Sequence, residues 1–366
     1  MKLKNLISVF FMVIVFLFSI DVKAQTKIKI QMVMGKKSPE YVMLTQFAEN
    51  VFDLTGGKVQ FEVIPKDSKT ETKGLLEKIN KGEVGAGFAW THYWSSYHPA
   101  TMLFGSPTAG AGLGLDNISW ISWFLYGGGR QLYDQLWSEM GMNIKGLMLQ
   151  PAGPEALGWF KEPIENMDDF RDYTYRAPPG IPGQAYLDID VDAVTMGGSD
   201  ILQALEDGTI DAAEWCCPIS DSIFGFQKVL KHYYLQGLHQ NIVNTDLYIN
   251  GDLWKSISPQ HQKAIEIAAD AALMHSIAWR MYENGKALKD LTDNHGVKLH
   301  DTPSDYFKEY MEASANLYKK FNESNAFFKK VFDSMEVFAQ STVPFWAQAQ
   351  SSNAKIGAAY ASSLEK

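Results

Sequence analysis

The sequence predicts an α/β fold of two lobes followed by a helical C-terminal third. Three observations carry this. Apolar patterns of period two take turns with patterns of period 3.6 from Ile28 onward, which reads as strand and helix layers with mostly parallel strands. The chain has 366 residues and is 46% hydrophobic, ample for a large core and too long for one ordinary domain. After Pro259 the pattern is helical over 259–295, 304–320 and 325–364, with few strand candidates.

The elements follow in order. Ile28, Ile30, Met32 and Met34 alternate as a strand. Val42, Phe47, Val51 and Leu54 sit at helical spacing over 39–54, and Gly56-Gly57 stops that helix. A strand is expected over 59–64, a short helix over 75–81 ending at Gly82, and a small-residue strand over 84–90. The pattern recurs with a helix end and strand over 169–177, a helix over 201–207 ending at Gly208, and a strand over 210–215. The two helix–glycine–strand units both end in tryptophan, at Trp90 and Trp215. In open α/β sheets ligands sit beyond the carboxyl ends of strands, so facing lobes would bring both rings to one cleft. No low-complexity linker intervenes, so crossing segments should join the lobes. Residues 25–150 with about 241–275 are assigned to the first lobe and 151–240 to the second. Residues 276–366 form the helical region packing on them.

The N-terminus is set apart from the fold. Lys2 and Lys4 precede an apolar run from Leu6 to Ile20, and Val22-Lys23-Ala24 offers small residues at a cleavage point. This reads as a Sec-type signal peptide over 1–24 rather than a membrane anchor, because the run is shorter than the ~20 residues that span a bilayer. Its removal takes away three lysines and Asp21, so the formal charge falls from −9 to −11. Nucleic acid and anionic membranes are poor partners for such a chain. An anionic ligand would need a few local cations. The two cysteines, Cys216 and Cys217, are adjacent, which excludes a disulfide framework. They read as small buried residues, with a vicinal disulfide as the alternative.

Enzyme signatures are missing from the sequence: there is no Gly-x-Ser-x-Gly, His-Glu-x-x-His, P-loop or Cys-x-x-Cys. Gly127-Gly128-Gly129-Arg130 lacks the Lys-Ser/Thr of a phosphate cradle and reads as a helix broken for close packing. The eight histidines are scattered without a helical metal pair, and His92 and His98 are assigned packing or surface roles. The aromatic stretch from Trp90 to His98, with Tyr93, could wall a pocket or fill an interface between lobes. Arg176 ends a strand just before Pro178-Pro179, where its planar fork can reach a carboxylate. A surface salt bridge is the competing reading. Glu214 ends an apolar strand, where a carboxylate is costly unless paired, and Glu155 stands at a turn leading into another, yet each taken alone reads as a solvated turn charge.

At these residues the chain resembles the periplasmic substrate-binding subunits of tripartite ATP-independent (TRAP) transporters, in the branch that binds 2-oxo and 2-hydroxy monocarboxylates. The resemblance covers nearly the whole mature chain. It rests on Gly87-Phe88-Ala89-Trp90-Thr91-His92-Tyr93-Trp94, His98-Pro99-Ala100, Phe104-Gly105-Ser106-Pro107 and Leu157-Gly158-Trp159-Phe160. It continues in Asp169-Phe170, Tyr175-Arg176-Ala177-Pro178, the run from Asp207 to Trp215 and the run from Tyr233 to Gln240. The resemblance implies that Arg176 clamps the ligand carboxylate and that a metal cation bridges ligand and protein. It implies a metal shell of Glu155, Glu214, the Trp215 carbonyl and Gln240, with Trp90, Tyr93, Glu155 and Trp215 also lining the ligand. Some relatives place Gln first and Glu last, the reverse of Glu155 and Gln240 here.

Oxygen donors suit Ca²⁺, or Na⁺ at similar distances. Two glutamates and a ligand carboxylate would balance Ca²⁺ plus Arg176, which favours Ca²⁺ over Na⁺. The expected protein is therefore a two-lobe periplasmic binding protein, not an enzyme. It would deliver a pyruvate- or lactate-type acid to TRAP membrane subunits. The rivals are an exported metal-dependent enzyme acting on a small organic acid, set aside for want of a histidine or lysine near the site motifs, and a ligand-sensing partner of a membrane receptor. The aromatic, apolar segment from Asn325 to Ser363 suggests a homodimer interface, although Pro344 should kink or break that helix.

Overall fold

Two mixed sheets organise the molecule. The structure, a computed structural model, describes residues 25–67 and 74–364. The expected signal peptide lies outside the described residues. The strands are β1 (Thr26–Gly35), β2 (Val59–Lys66), β3 (Ala86–Trp90), β4 (Ile144–Ala152), β5 (Gly158–Phe160), β6 (Thr174–Arg176), β7 (Asp192–Val194), β8 (Ala212–Ala213), β9 (His232–Tyr234), β10 (Val243–Asn250) and β11 (Lys298–His300). The first sheet runs β2-β1-β3-β10-β4 and the second β11-β9-β5-β8-β6-β7.

Parallel pairing holds for β1 with β2 and β3, as the strand–helix alternation predicts. Five of the nine strand pairs among the described residues are parallel, and the sheets are mixed because β10 runs antiparallel to both β3 and β4, and β5 antiparallel to both β8 and β9. The cause is connectivity. The chain leaves the first sheet after β4, builds most of the second, and returns through β10, so the returning strand enters from the opposite end.

Each lobe has its own core. In the first, Ile28, Ile30, Met32 and Met34 point one way from β1 and pack with Leu44, Phe47 and Val51 of the helix Pro39–Leu54. Ser38 caps that helix by accepting the Tyr41 amide, and Pro39 starts its first turn. In the second, Trp159, Tyr233, Phe226, Ile201 and Ile210 pack together. A third cluster joins the two lobes to each other and to the C-terminal helices, through Trp120 and Trp123, Tyr175 and Tyr186, and Tyr306 and Phe328.

The C-terminal third departs from its sequence pattern in two ways. Its three long helices are Pro259–His295, Ser304–Ser324 and Ala326–Leu364, but β11 between the first two adds a strand to the second sheet. Helix Pro259–His295 packs on β4 and on helix Pro39–Leu54 of the first lobe, and on helix Pro218–Phe224 of the second. It therefore passes through the residue 275 boundary without a break. Pro344 does not end its helix, which continues to Leu364.

Two backbone connections cross directly between the sheets, from β4 to β5 and from β9 to β10. They carry Glu155 and His239-Gln240 respectively, and the Glu155 amide donates to the Gln240 carbonyl at 3.1 Å. The crossing segments are thus tied together beside the residues expected to bind ligand.

Candidate functional site

Close backbone approach places the charged groups. Gly158 has φ +125°, and a Cβ there would meet the Ala213 carbonyl at 2.4 Å, so only glycine lets β5 lie this close to β8. A Cβ on Gly237 would meet the Glu155 carbonyl at 2.7 Å. These contacts draw Glu155, Glu214 and the 237–240 segment to one point. Arg176 arrives from the other side, because β6 pairs parallel with β8 and sets Arg176 beside Ala213.

Arg176 and Glu214 form a buried ion pair at the centre. Arg176 Nη1 donates to the Glu214 carboxylate and, at 3.1 Å, to the Glu214 carbonyl. Nη2 makes a 3.3 Å bond to the Met196 carbonyl, and Nε is buried with no partner among the described residues. The guanidinium stands 5.5 Å from the Trp215 ring centroid. Arg176 is therefore a buried ion-pair member rather than a surface one.

His239 completes the cluster; it was not singled out from sequence, and it corrects the expectation that no histidine stands near the site motifs. Its Nε2 lies 3.8 Å from Glu155 Oε2 and 3.7 Å from Glu214 Oε2, and all three residues are buried. Their donor atoms lie within 4.8 Å of one another. Each of these three atoms lacks a hydrogen-bond partner among the described residues. Buried polar atoms left so are costly, and their convergence needs a cation or a proton to settle it. The other ring nitrogen, Nδ1, shares a 3.0 Å hydrogen bond with the Tyr186 hydroxyl, which lies 3.2 Å from the Tyr306 hydroxyl. This chain fixes the ring with Nε2 facing the carboxylates.

The electrostatics are asymmetric. Burial, then the charge of Glu214, pushes the Glu155 carboxyl well above its usual range. Burial would also raise Glu214, but Arg176, with His239 and His92 behind it, outweighs burial and holds Glu214 below its usual range. Burial brings His92 down to about 4 against the pull of the Gly105 carbonyl and Glu214. His92 is thus a neutral neighbour of the cluster at pH 7, not a surface residue.

Tyr93 is 46% exposed. Burial of its hydroxyl pushes the pKa up to about 12, against the charge of Arg176 and with those of Glu155 and Glu214. Trp90 is half-buried 5.1 Å from the Tyr93 ring. Asp246 holds this wall in place by accepting hydrogen bonds from Thr91 and Tyr133. The Gln240 amide nitrogen donates to Ser106 at 3.0 Å. The metal set implied by the resemblance thus gains His239, while one end of the Gln240 amide is committed to the first lobe.

Two carboxylates and an imidazole facing one point fit a bound cation, by donor chemistry and by the three unsatisfied atoms. Arg176 reaches this group through its Nη1 on Glu214, and its Nε stays without a partner among the described residues.

Comparison with known proteins agrees with this architecture. The model of the bacterial extracellular solute-binding protein family 7 matches residues 30–325. A monocarboxylate 2-oxoacid-binding periplasmic protein of Nostoc sp. is 27% identical over 269 residues, 73% of this chain and 70% of its own length. A TRAP transporter solute-binding protein of Bordetella bronchiseptica superposes with a TM-score of 0.84 at 23% identity, covering 93% of this chain and 99% of its own. It was crystallised as a mixed-occupancy dimer with calcium and picolinate in one site. A TRAP periplasmic solute-binding protein of Pseudoalteromonas atlantica, with bound sodium and pyruvate, gives 0.81 at 21% identity, covering 90% and 99%.

Proposed function

Since the chain belongs to family 7 of the bacterial extracellular solute-binding proteins, we propose that it captures a small 2-oxo or 2-hydroxy monocarboxylate in its interlobe cleft and hands it to TRAP membrane subunits. The observation that carries this reading is the convergence of Glu155, Glu214 and His239 on one point beside the unpartnered Nε of Arg176.

In this reading the Nε–Nη2 edge of Arg176 takes the ligand carboxylate with two parallel hydrogen bonds. Glu155, Glu214 and His239 would hold a cation, with the Trp215 carbonyl and Gln240 completing the shell. Once bound, that cation supplies positive charge to the 2-oxo or 2-hydroxy oxygen. Trp90, Tyr93 and Trp215 line the ligand and limit its size. Ca²⁺ is favoured over Na⁺, because Glu155, Glu214 and a ligand carboxylate carry three negative charges and Ca²⁺ with Arg176 carries three positive. A neutral imidazole leaves that balance unchanged. The binding proteins of Pseudoalteromonas and Bordetella, with carboxylate ligands beside sodium or calcium, support a cation-bridged acid.

The chain acts as a carrier in the periplasm rather than as an enzyme. The lobes, assigned as 25–150 with 241–275 and as 151–240, would close about the crossing segments that carry Glu155 and His239. The second partner is another copy of the chain. Residues 351–364 are exposed along their whole length, and a helical end of this size has marginal stability alone in water. The dimer of the Bordetella relative supports this.

Native purification followed by mass spectrometry of the released ligand tests the reading directly. A small 2-oxo or 2-hydroxy acid is expected. Failure of pyruvate and lactate to bind by calorimetry in either Ca²⁺ or Na⁺, with no organic acid released, overturns it.

A further inference from the structure

Cys216 and Cys217 follow the site strand directly, at the carboxyl end of β8. Their sulfurs lie 3.0 Å apart, and both residues are buried. A disulfide measures ~2.05 Å, so bonding requires the sulfurs to move together by only about 1 Å. The chain contains no other cysteine, so no competing bridge within the molecule exists. We propose that Cys216 and Cys217 are a reversible redox pair that closes a vicinal disulfide under the ligand site.

The surroundings explain why this bond would be felt in the cleft. The Cys216 carbonyl accepts the Ala156 amide at 2.7 Å, next to Glu155. The Cys216 amide donates to Asp221 Oδ1 at 3.0 Å, and Asp221 Oδ2 accepts from Trp159 and Tyr233, both at 2.9 Å. The carbonyl of the peptide unit between the two cysteines is thus tied to the segment carrying Glu155, and the amide of the preceding Trp215–Cys216 peptide to the core of the second lobe. Closing an eight-membered ring there fixes the backbone that continues from Trp215.

The chemistry is thiol–disulfide exchange with a disulfide-bearing oxidant, either a dithiol–disulfide oxidoreductase or a small disulfide such as oxidised glutathione. One cysteine thiolate attacks the oxidant's disulfide, forms a mixed disulfide and releases one oxidant thiol. The neighbouring cysteine then attacks the mixed disulfide, forms the Cys216–Cys217 bond and releases the second oxidant thiol. Two protein thiols become one disulfide, and one oxidant disulfide becomes two thiols. Because both sulfurs are buried, exchange in either direction proceeds during folding or through local opening.

The test uses the full mature chain, acid-quenched, unfolded and treated with N-ethylmaleimide. Protein exposed to oxidised glutathione is expected to take up no maleimide, to stay monomeric on a non-reducing gel, and to take up two after dithiothreitol. Two adducts without reductant, or a disulfide-linked dimer, overturn the proposal. Hydrogen exchange gives a readout independent of any ligand. Oxidation should change amide exchange in the peptides covering 154–160 and 212–218, and a Cys216→Ser, Cys217→Ser double variant should not respond to oxidant. Unchanged exchange in both peptides shows a bond without influence on the site and overturns the coupling. Neither measurement depends on which acid the cleft binds.

Discussion

Glu214 holds Arg176 by two of its own oxygens, one from the side chain and one from the backbone, and leaves the Nε of Arg176 free. The pairing aims the guanidinium as well as neutralising a buried carboxylate. An arginine tethered on one side has lost most of its rotamer freedom before ligand arrives, so less entropy is spent on binding.

Replacing this residue should therefore be severe. Arg176→Ala is expected to lower affinity for pyruvate or its congeners by at least 30-fold, since truncating one partner of a buried charge pair costs ~2–5 kcal/mol. Arg176→Lys should fail nearly as badly, because an ammonium cannot bond Glu214 and a carboxylate with one planar fork. Calorimetry decides. Affinity within threefold of wild type for either variant would remove Arg176 from the site.

Metal removal should act on binding more than on folding. The apolar clusters that hold the fold together include none of Glu155, Glu214 and His239, so chelation is expected to weaken ligand binding while moving the melting temperature of the ligand-free protein little. His239→Ala should lower cation affinity strongly. Tyr186→Phe, which removes only the hydroxyl bonded to His239 Nδ1, should cost ~10–100-fold as an outer partner of a ligand. Calcium titration followed by tryptophan fluorescence checks both. A Tyr186→Phe protein with wild-type calcium affinity would mean that His239 does not bind the ion.

What the sequence disclosed and what it hid divide along physical lines. Arg176 was legible because a strand end followed by Pro178-Pro179 forces a turn at a cleft edge. Glu214 was marked only by the resemblance, because a carboxylate after Ile210 to Ala213 reads locally as a solvated turn charge, whereas the structure buries it. His239 was not, although it directly precedes Gln240 in a recognised segment. Its meaning comes from Glu155 and Glu214, which the two crossing segments bring to it, and no local pattern records that. The strand expected over 210–215 is only Ala212–Ala213 long, because the backbone past Ala213 turns aside to present Glu214 and Trp215. The buried pair of Arg280 and Glu40 lies 240 residues apart in sequence and left no trace in either segment.

Two buried aspartates should lose their contribution to stability as pH rises through neutrality. Burial pushes Asp246 up to about 7, against the opposing hydrogen bonds from Thr91, Tyr133 and Tyr248, and pushes Asp221 up to about 8. An unfolded aspartate titrates near ~3.9. The folded state thus holds protons that the unfolded state has lost, and its stabilisation is full below about pH 4 and is lost through the folded pKa. His92 acts in the opposite sense between about 4 and 6.5, and so does Cys217 at higher pH, its thiol brought down to about 6 by the Cys216 hydrogen bond. The aspartate share is isolated by Asp246→Asn, whose melting temperature should fall less, or rise more, than that of the wild type between pH 6.5 and 8.5. Parallel melting curves of the two proteins over this interval contradict the assignment.

The last prediction concerns the end of the chain. The helix Ala326–Leu364 has two halves with different environments. Phe327, Phe328, Val331, Met335 and Ala339 are buried in the molecule's own core, and Trp346 donates to Asp116 at 2.7 Å. These residues do not need a partner. Beyond them Ile356, Tyr360 and Leu364 are each at least 67% exposed, and an unsupported helical end should fray. The dimer interface proposed for the region from Asn325 onward therefore narrows to its distal part. Truncation after Gln350 is expected to give a folded monomer that keeps its ligand affinity. Truncation after Glu323 should also unravel the aromatic cluster around Phe328 and lower the melting temperature. Sedimentation velocity at tens of micromolar separates the cases. A monomeric full-length protein would refute the dimer, whereas a dimer that survives truncation after Gln350 would place its interface elsewhere on the molecule.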